Sequence, residues 1–187
     1  VETDAMTNQP HRLPGDPDRA AMIERMIRVD HAGEHGAVRI YDGQLAVLKH
    51  GPAARAIRHM AAQEKRHLDA FDKLMLERRV RPTALSPLWN VAGFALGAAS
   101  ALLGPKAAMA CTVAVEEVIE EHYRAQAEAL GDDDPALKAT INEFRDDEMS
   151  HGATALDYGA KEAPLYDALS AVVKTGSRLA IWLSTRI

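Results

Sequence analysis

The stretch Ile141-Asn142-Glu143-Phe144-Arg145-Asp146-Asp147-Glu148-Met149-Ser150-His151 decides the fold. Leu137, Ile141, Phe144, Glu148, His151, Ala155 and Tyr158 step by three or four residues, the period of one buried helix face. A glutamate and a histidine thus stand where core residues belong. The same arrangement occurs upstream, where Ile57, Met60, Glu64, His67, Phe71 and Leu74 keep the same steps. A third stripe runs through Ile27, His31, Glu34, Val38, Tyr41, Leu45 and Leu48. One Glu-x-x-His pair is weak evidence, since i,i+3 pairs are common on helix surfaces. Two of them, each in the middle of an apolar stripe, carry far more weight.

The chain also echoes itself. Glu34 is followed by Tyr41 and Gln44, and Glu116 by Tyr123 and Gln126 at the same offsets. The sequence therefore reads as two similar helical hairpins, each with a lone Glu and then a Glu-x-x-His. Pro and Gly set the boundaries. The spacing predicts helices over about 19–49, 53–79, 106–130, 134–159 and 164–186, with breaks at Gly51-Pro52, Arg81-Pro82 and Gly104-Pro105. Asp134 followed by Pro135 is a cap followed by a first-turn proline. Strand signals are nearly absent. The fold class is all-α, a four-helix bundle with a long apolar crossover and an additional C-terminal helix.

Length and composition agree. A chain of 187 residues suits one domain with a continuous core. Its 47% hydrophobic and 26% charged residues are an ordinary globular balance. Net charge is −5 with no long basic run, so a nucleic-acid partner has no electrostatic footprint. The single Cys111 excludes an internal disulfide and a cysteine zinc cluster, and its apolar neighbours suggest an inert buried thiol. Residues 1–19, with Pro10, Pro14, Gly15 and Pro17, read as a disordered arm without the apolar core of a secretory signal, preceding a helical domain at 20–187. Val1 stands where an initiator Met would, so a longer precursor is compatible with the sequence.

The buried polar residues point to metal. An unpaired carboxylate moved out of water costs several kcal/mol or more, and four such groups close together repel one another. Two divalent cations cancel the charge of Glu34, Glu64, Glu116 and Glu148, with His67 and His151 as neutral ligands. An oxygen-rich set with two imidazoles suits iron or manganese better than zinc or calcium. It is the ligand set of ferritin-like di-metal proteins, a lone Glu from each of two helices and Glu-x-x-His from each of two others. Metal-bound histidines usually donate their free N–H to an oxygen. Asp147 is expected to support His67 across the bundle and Gln63 to support His151, against the equal alternative of two exposed polar residues. His31 suits a hydrogen-bonded core position or an outer contact of the site. His35, His50, His59 and His122 fall off the stripes and read as solvated. Glu117, Glu120 and Glu121 read as an acidic surface, with Glu120 one turn from Glu116. Tyr41 and Tyr123 read as core residues with hydrogen-bonded hydroxyls. Gly33 and Gly36 flank Glu34 where helix interiors disfavour glycine, leaving room for a substrate or a neighbouring backbone.

Pro82 to Pro105 is a run of 24 residues without a charge. It fits a buried crossover helix, a surface in the membrane interface, or a spanning segment. Pro87, Asn90, Gly93 and Gly97 favour the first two, singly or combined. An apolar surface beside the metal site would also admit a greasy substrate.

These strings carry a family likeness. Arg28-Val29-Asp30-His31-Ala32-Gly33-Glu34, Arg81-Pro82-Thr83, Pro87-Leu88-Trp89-Asn90, Gly93-Phe94-Ala95-Leu96-Gly97 and Ala110-Cys111-Thr112-Val113-Ala114-Val115-Glu116-Glu117 resemble the demethoxyubiquinone hydroxylases of ubiquinone biosynthesis. The likeness spans about residues 22–187. It implies di-iron ligation by Glu34, Glu64, His67, Glu116, Glu148 and His151, with Glu116 rather than Glu117. It implies O₂-dependent hydroxylation of a polyprenylated demethoxybenzoquinol, with two iron ions and an external reductant, NADH or the quinol itself. No residue beyond the metal centre is then required as a nucleophile. The resemblance further implies a peripheral inner-membrane location, bacterial on the cytoplasmic side or mitochondrial in a eukaryote. A lipid-binding accessory protein, a homo-oligomer and the membrane surface are the partners it suggests. The rival readings are a ferroxidase or iron-binding bundle, another di-iron oxygenase, and a non-enzymatic membrane-binding helical protein.

Overall fold

The computed structural model describes residues 17–187. Six α-helices and one 3₁₀ turn make up the described chain, with no strand among the described residues. They are α1 (Arg19–Val47), α2 (Pro52–Arg78), α3 (Ser86–Leu102), α4 (Pro105–Leu130), α5 (Pro135–Asp157) and α6 (Tyr166–Ser184), with the 3₁₀ turn at Ala160–Glu162. Most of the expected arm lies outside the described residues, and the first helix starts where the spacing predicts. Arg19 already belongs to α1, because the Asp18 side chain accepts a 2.8 Å hydrogen bond from Ala21 N–H and caps the helix.

Each further boundary has a local cause. Pro52, Pro105 and Pro135 occupy the first turns of α2, α4 and α5, where a missing N–H costs nothing. Arg79 adopts φ 56° and closes α2. Asp134 accepts from Leu137 N–H at 3.0 Å and caps α5. The C-terminal helix begins at Tyr166, two residues later than expected, because the 3₁₀ turn and Leu165 at φ 56° precede it.

α1–α2 and α4–α5 are the two antiparallel hairpins, and α3 is the crossover between them. Their facing stripes form a core that includes Ile27, Ile57, Met60, Phe71, Tyr123, Leu137 and Ile141. Tyr158 departs from its expected place on the α5 stripe. It is exposed, because α5 ends one residue earlier.

The apolar run proves to be helical but not buried. α3 buries only Gly93, Gly97, Ser100 and Ala101. It leaves Leu88, Val91, Leu102 and Leu103 exposed, Leu102 by 76%. The buried-crossover expectation fails because the residues that α3 buries are all small. Their small size lets the two backbones meet: a Cβ on Gly97 would run into the Ile40 carbonyl, and one on Gly43 into that of Phe94. No helix among the described residues is long and apolar enough to cross a membrane.

α6 packs on α4 and α1. Its C-terminal end is tied to the start of α3, where Trp89 Nε1–H donates to Ser184 Oγ at 2.9 Å. α1, α3, α4 and α6 thereby enclose a cavity of about 430 Å³.

Candidate metal centre

The bundle brings all six predicted residues to one place. Glu34 comes from α1, Glu64 and His67 from α2, Glu116 from α4, and Glu148 and His151 from α5. Each is at most 2% exposed. They fall into two groups, Glu34, Glu64, His67 and Glu148, and Glu64, Glu116, Glu148 and His151. Within each group one ligating atom per residue lies within 4.8 Å of the others. Glu64 and Glu148 belong to both. The two Glu-x-x-His carboxylates are therefore shared, and the lone glutamates are not.

Hydrogen bonds fix the outward-facing atoms. His67 Nε2 lies 3.0 Å from Asp147 Oδ2, and His151 Nε2 lies 3.3 Å from Gln63 Oε1. The expected supports of both imidazoles are present. Tyr41 donates its hydroxyl proton to Glu116 Oε1 at 2.6 Å, and Tyr123 donates to Glu34 Oε1. Each repeat's tyrosine thus binds the other repeat's lone glutamate, which the matched offsets in sequence did not show. α1 and α4 run antiparallel, so a residue seven positions after one lone Glu sits opposite the other.

What remains is the test of fit. Glu34 Oε2, Glu116 Oε2, both oxygens of Glu64 and of Glu148, and Nδ1 of His67 and His151 are buried without a hydrogen-bond partner. Buried polar atoms are almost always paired. All eight belong to the two groups, and Glu64 and Glu148 have an oxygen for each. Each group then offers two shared carboxylate oxygens, one further carboxylate oxygen and one imidazole nitrogen. Those are hard and borderline donors matched to iron or manganese. The residues fit a pair of such ions.

Without cations the cluster resists ionisation. Burial, followed by the neighbouring carboxylates, pushes Glu64 and Glu116 well above the ordinary range. Burial also raises Glu148. Burial opposes the imidazolium of His67, but contacts with Glu148 and Glu34 overcome it and push its pKa up to about 10. His151 shifts downward, through burial and, in part, the nearby His67. The opposite directions arise because carboxylate contacts outweigh burial at His67, whereas burial prevails at His151.

A pH prediction follows from these shifts. The folded carboxyls keep their protons above the unfolded value near 4.5, so the unfolded state loses protons first as pH rises. The metal-free chain is therefore expected to melt at lower temperature as pH goes from about 5 to about 8. Bound cations favour the ionised ligands, so the stabilisation by metal should grow over the same range. Calorimetry of metal-free and loaded protein at both ends checks this; a gap that shrinks with pH contradicts it.

Other residues stand apart from the cluster. His31 Nε2 pairs with Asp72 Oδ1 at 3.0 Å and belongs to neither group. Glu120 pairs with Arg145 at 2.7 Å, and Glu117 and Glu121 are exposed. His122 corrects the sequence reading. Its Nε2 lies 3.3 Å from Asp30 Oδ1, and Asp30 is only 2% exposed. Asp30 escaped notice, although its place four residues before Glu34 matches that of Thr112 before Glu116. Gly33 and Gly36 meet nothing within 4 Å where a Cβ would stand, and both line the cavity.

The chain matches the family described as "Ubiquinone biosynthesis protein COQ7" over residues 21–184. It belongs to that family. Among its relatives is a Rhodospirillum rubrum protein named "3-demethoxyubiquinol 3-hydroxylase", 59% identical over 177 residues, covering 94% of this chain and 84% of that one. A Homo sapiens relative named "NADPH-dependent 3-demethoxyubiquinone 3-hydroxylase, mitochondrial" is 52% identical, covering 89% of this chain and 79% of its own length. A Saccharomyces cerevisiae relative named "5-demethoxyubiquinone hydroxylase, mitochondrial" is 42% identical, covering 90% and 80%. The COQ7 family match includes all six residues of the cluster and every helix that walls the cavity.

The outward-facing hydrogen bonds of the cluster give a further prediction. Asp147→Asn keeps the shape but removes the charge facing His67 Nε2. Metal affinity should fall by roughly 10–100-fold, with helix content unchanged. Equilibrium dialysis against iron measures it, and affinity equal to the parent would show that Asp147 plays no part.

Proposed function

We propose that the chain is an O₂-dependent demethoxyubiquinol hydroxylase that holds two iron ions with Glu34, Glu64, His67, Glu116, Glu148 and His151. One observation carries the reading: eight partnerless buried donor atoms, arranged in two groups that share two carboxylates, lie next to a cavity walled almost entirely by apolar side chains. Bound there, the iron pair supplies the O₂ chemistry and the electron storage that no side chain provides. The relatives' printed names supply the substrate class, a demethoxyubiquinol, and a nicotinamide nucleotide as reductant. The human relative's name specifies NADPH, where the family likeness alone suggested NADH or the quinol itself.

The chain's own residues do the rest. Asp147 and Gln63 fix the ring orientation of His67 and His151. Tyr41 and Tyr123 occupy one oxygen each of Glu116 and Glu34 and so present the other oxygen inward. Glu64 and Glu148 keep both oxygens free. Ile40, Leu96, Val115, Ile119 and Val173 exclude water from the cavity, while Gly33 and Gly36 leave the width a ring needs. Exposed Leu88 and Val91 on α3, with Leu179 and Trp182 on α6, suit a peripheral place on an inner membrane, where a polyprenylated substrate resides.

A ferroxidase would share the six ligands but has no use for the cavity. The deciding experiment is genetic. Removal of the gene should cause demethoxyubiquinone to accumulate, and the parent chain, but not Glu148→Ala, should restore ubiquinone. Rescue by that variant would argue against metal-centred oxidation.

A further inference from the structure

The polar pattern repeated between the two halves breaks at one place. In one half, Gln44 Nε2–H donates to Thr112 Oγ1 at 3.3 Å. In the other, the equivalent Gln126 faces Asp30, which occupies the position matching Thr112. His122, six residues after Glu116, adds an imidazole there, whereas six residues after Glu34 stands Ile40. One half alone has therefore acquired a carboxylate and an imidazole. Burying Asp30 costs free energy that Thr112 does not, and no contact with the metal-ligand cluster uses either side chain.

Both members of the pair line the apolar cavity, beside Tyr123, whose hydroxyl reaches Glu34. Nε2 of His122 lies 3.3 Å from Asp30 Oδ1 and 2.9 Å from Gln126 Nε2, and both Asp30 oxygens are otherwise without a partner. A bare Nε2 would set its lone pair against that buried carboxylate, so the proton belongs on Nε2, with the Gln126 amide N–H turned to Asp30 as well. Among the described residues Nδ1 has no hydrogen-bond partner. Burial raises the Asp30 carboxyl, and its contacts with His122 and Gln126 pull it back, so the anion depends on the N–H groups that face it.

We propose that Asp30 holds His122 with its Nε2–H toward the carboxylate, so that Nδ1 accepts a hydrogen bond from a ring hydroxyl of the quinol in the cavity. The inference rests on the hydroxylase reading and adds the redox form that the site selects. A lone pair on Nδ1 accepts from the O–H of the reduced ring and has nothing to offer the carbonyl of the oxidised ring. His122 binds substrate; Asp30 is a positioning residue that sets the tautomer, as a buried aspartate does for other imidazoles that accept protons.

The test is an anaerobic titration of zinc-loaded protein, which is redox-inert, with a short-tailed demethoxyquinol and separately with its quinone. A Trp182→Phe background leaves Trp89, a residue of the cavity wall, as the sole indole reporter of ring binding. The parent should bind the quinol about tenfold more tightly than the quinone, the worth of one hydrogen bond. Asp30→Thr copies the residue of the other half. It should lose most of that preference by weakening quinol binding, with quinone affinity and zinc content unchanged. His122→Leu should do the same, and the double variant should be no worse than His122→Leu alone. Asp30→Asn makes the same comparison if Asp30→Thr does not fold. Equal affinity for the two ring forms in the parent, or an undiminished preference in the Asp30 variants, overturns the inference while the hydroxylase reading stands. Failure of the parent to bind either ring form removes that reading, and the role of the pair with it.

Discussion

Glu148→Ala is expected to leave the protein with almost no bound iron, and Glu64→Ala to do the same. Glu34→Ala and Glu116→Ala should each lose one ion in preference to the other. The difference follows from sharing. Glu64 and Glu148 stand in both groups of converging donors, and each lone glutamate stands in one. Removing a shared carboxylate takes a donor and its charge from two sites at once, whereas removing a lone one leaves the second group with its four residues intact. If the reaction needs both ions, as proposed, hydroxylation should fall by roughly a thousandfold or more in all four variants. The metal-free fold should survive each change. In that state burial and the neighbouring carboxylates disfavour the ionised forms of Glu64 and Glu116, so truncating one member of the cluster removes an unfavourable buried group and leaves a cavity of modest cost. Metal analysis per chain and thermal melting together read the result. Equal loss of iron in all four variants would contradict the sharing, and collapse of the metal-free fold would contradict the electrostatic account.

The glycines should divide into two classes with opposite outcomes. Gly97→Leu and Gly43→Leu are expected to destabilise the protein by more than about 3 kcal/mol, or to prevent folding. In both, the new Cβ would meet main-chain atoms of the partner helix, which cannot rotate away as a side chain does. α1 and α3 would have to separate, and one wall of the cavity would move with them. Gly33→Ala and Gly36→Ala meet open space and sit within α1, so they should stabilise by up to about 1 kcal/mol through helix propensity alone. Their methyl groups enter the cavity instead, so KM for the quinol should rise while iron content stays at the parental level. Urea unfolding separates the classes, and steady-state kinetics with a prenylated quinol examines the second. A stable Gly97→Leu protein would show that the helices are free to part.

Much of the site was legible in the sequence because its chemistry conflicts with its surroundings. Glu148 and His151 interrupt an otherwise apolar stripe, and so do Glu64 and His67. A period of 3.6 residues places such groups on a buried face without any knowledge of the neighbouring helix. Asp147 and Gln63 could be named as supports for the same reason: each lies beside a residue whose direction the period had already fixed. His122 shows the limit. On its own helix it falls off the stripe and looks solvated, and only α1, bringing the buried Asp30 against it, makes it a half-buried partner. α3 shows another. Its composition signals burial, but the residues it buries are the small Gly93, Gly97, Ser100 and Ala101, and Leu88, Val91 and Leu102 face outward.

By itself, then, the order of residues determined an all-α chain of two matched hairpins and the six groups that must meet in its middle, since helical periodicity and the cost of burying charge are local properties. Tertiary structure alone decided which carboxylates are shared, which tyrosine serves which glutamate, and which helices wall the cavity. Those depend on the antiparallel setting of α1 against α4 and on the backbone approach of α3 to α1, relations between distant segments that no single helix encodes.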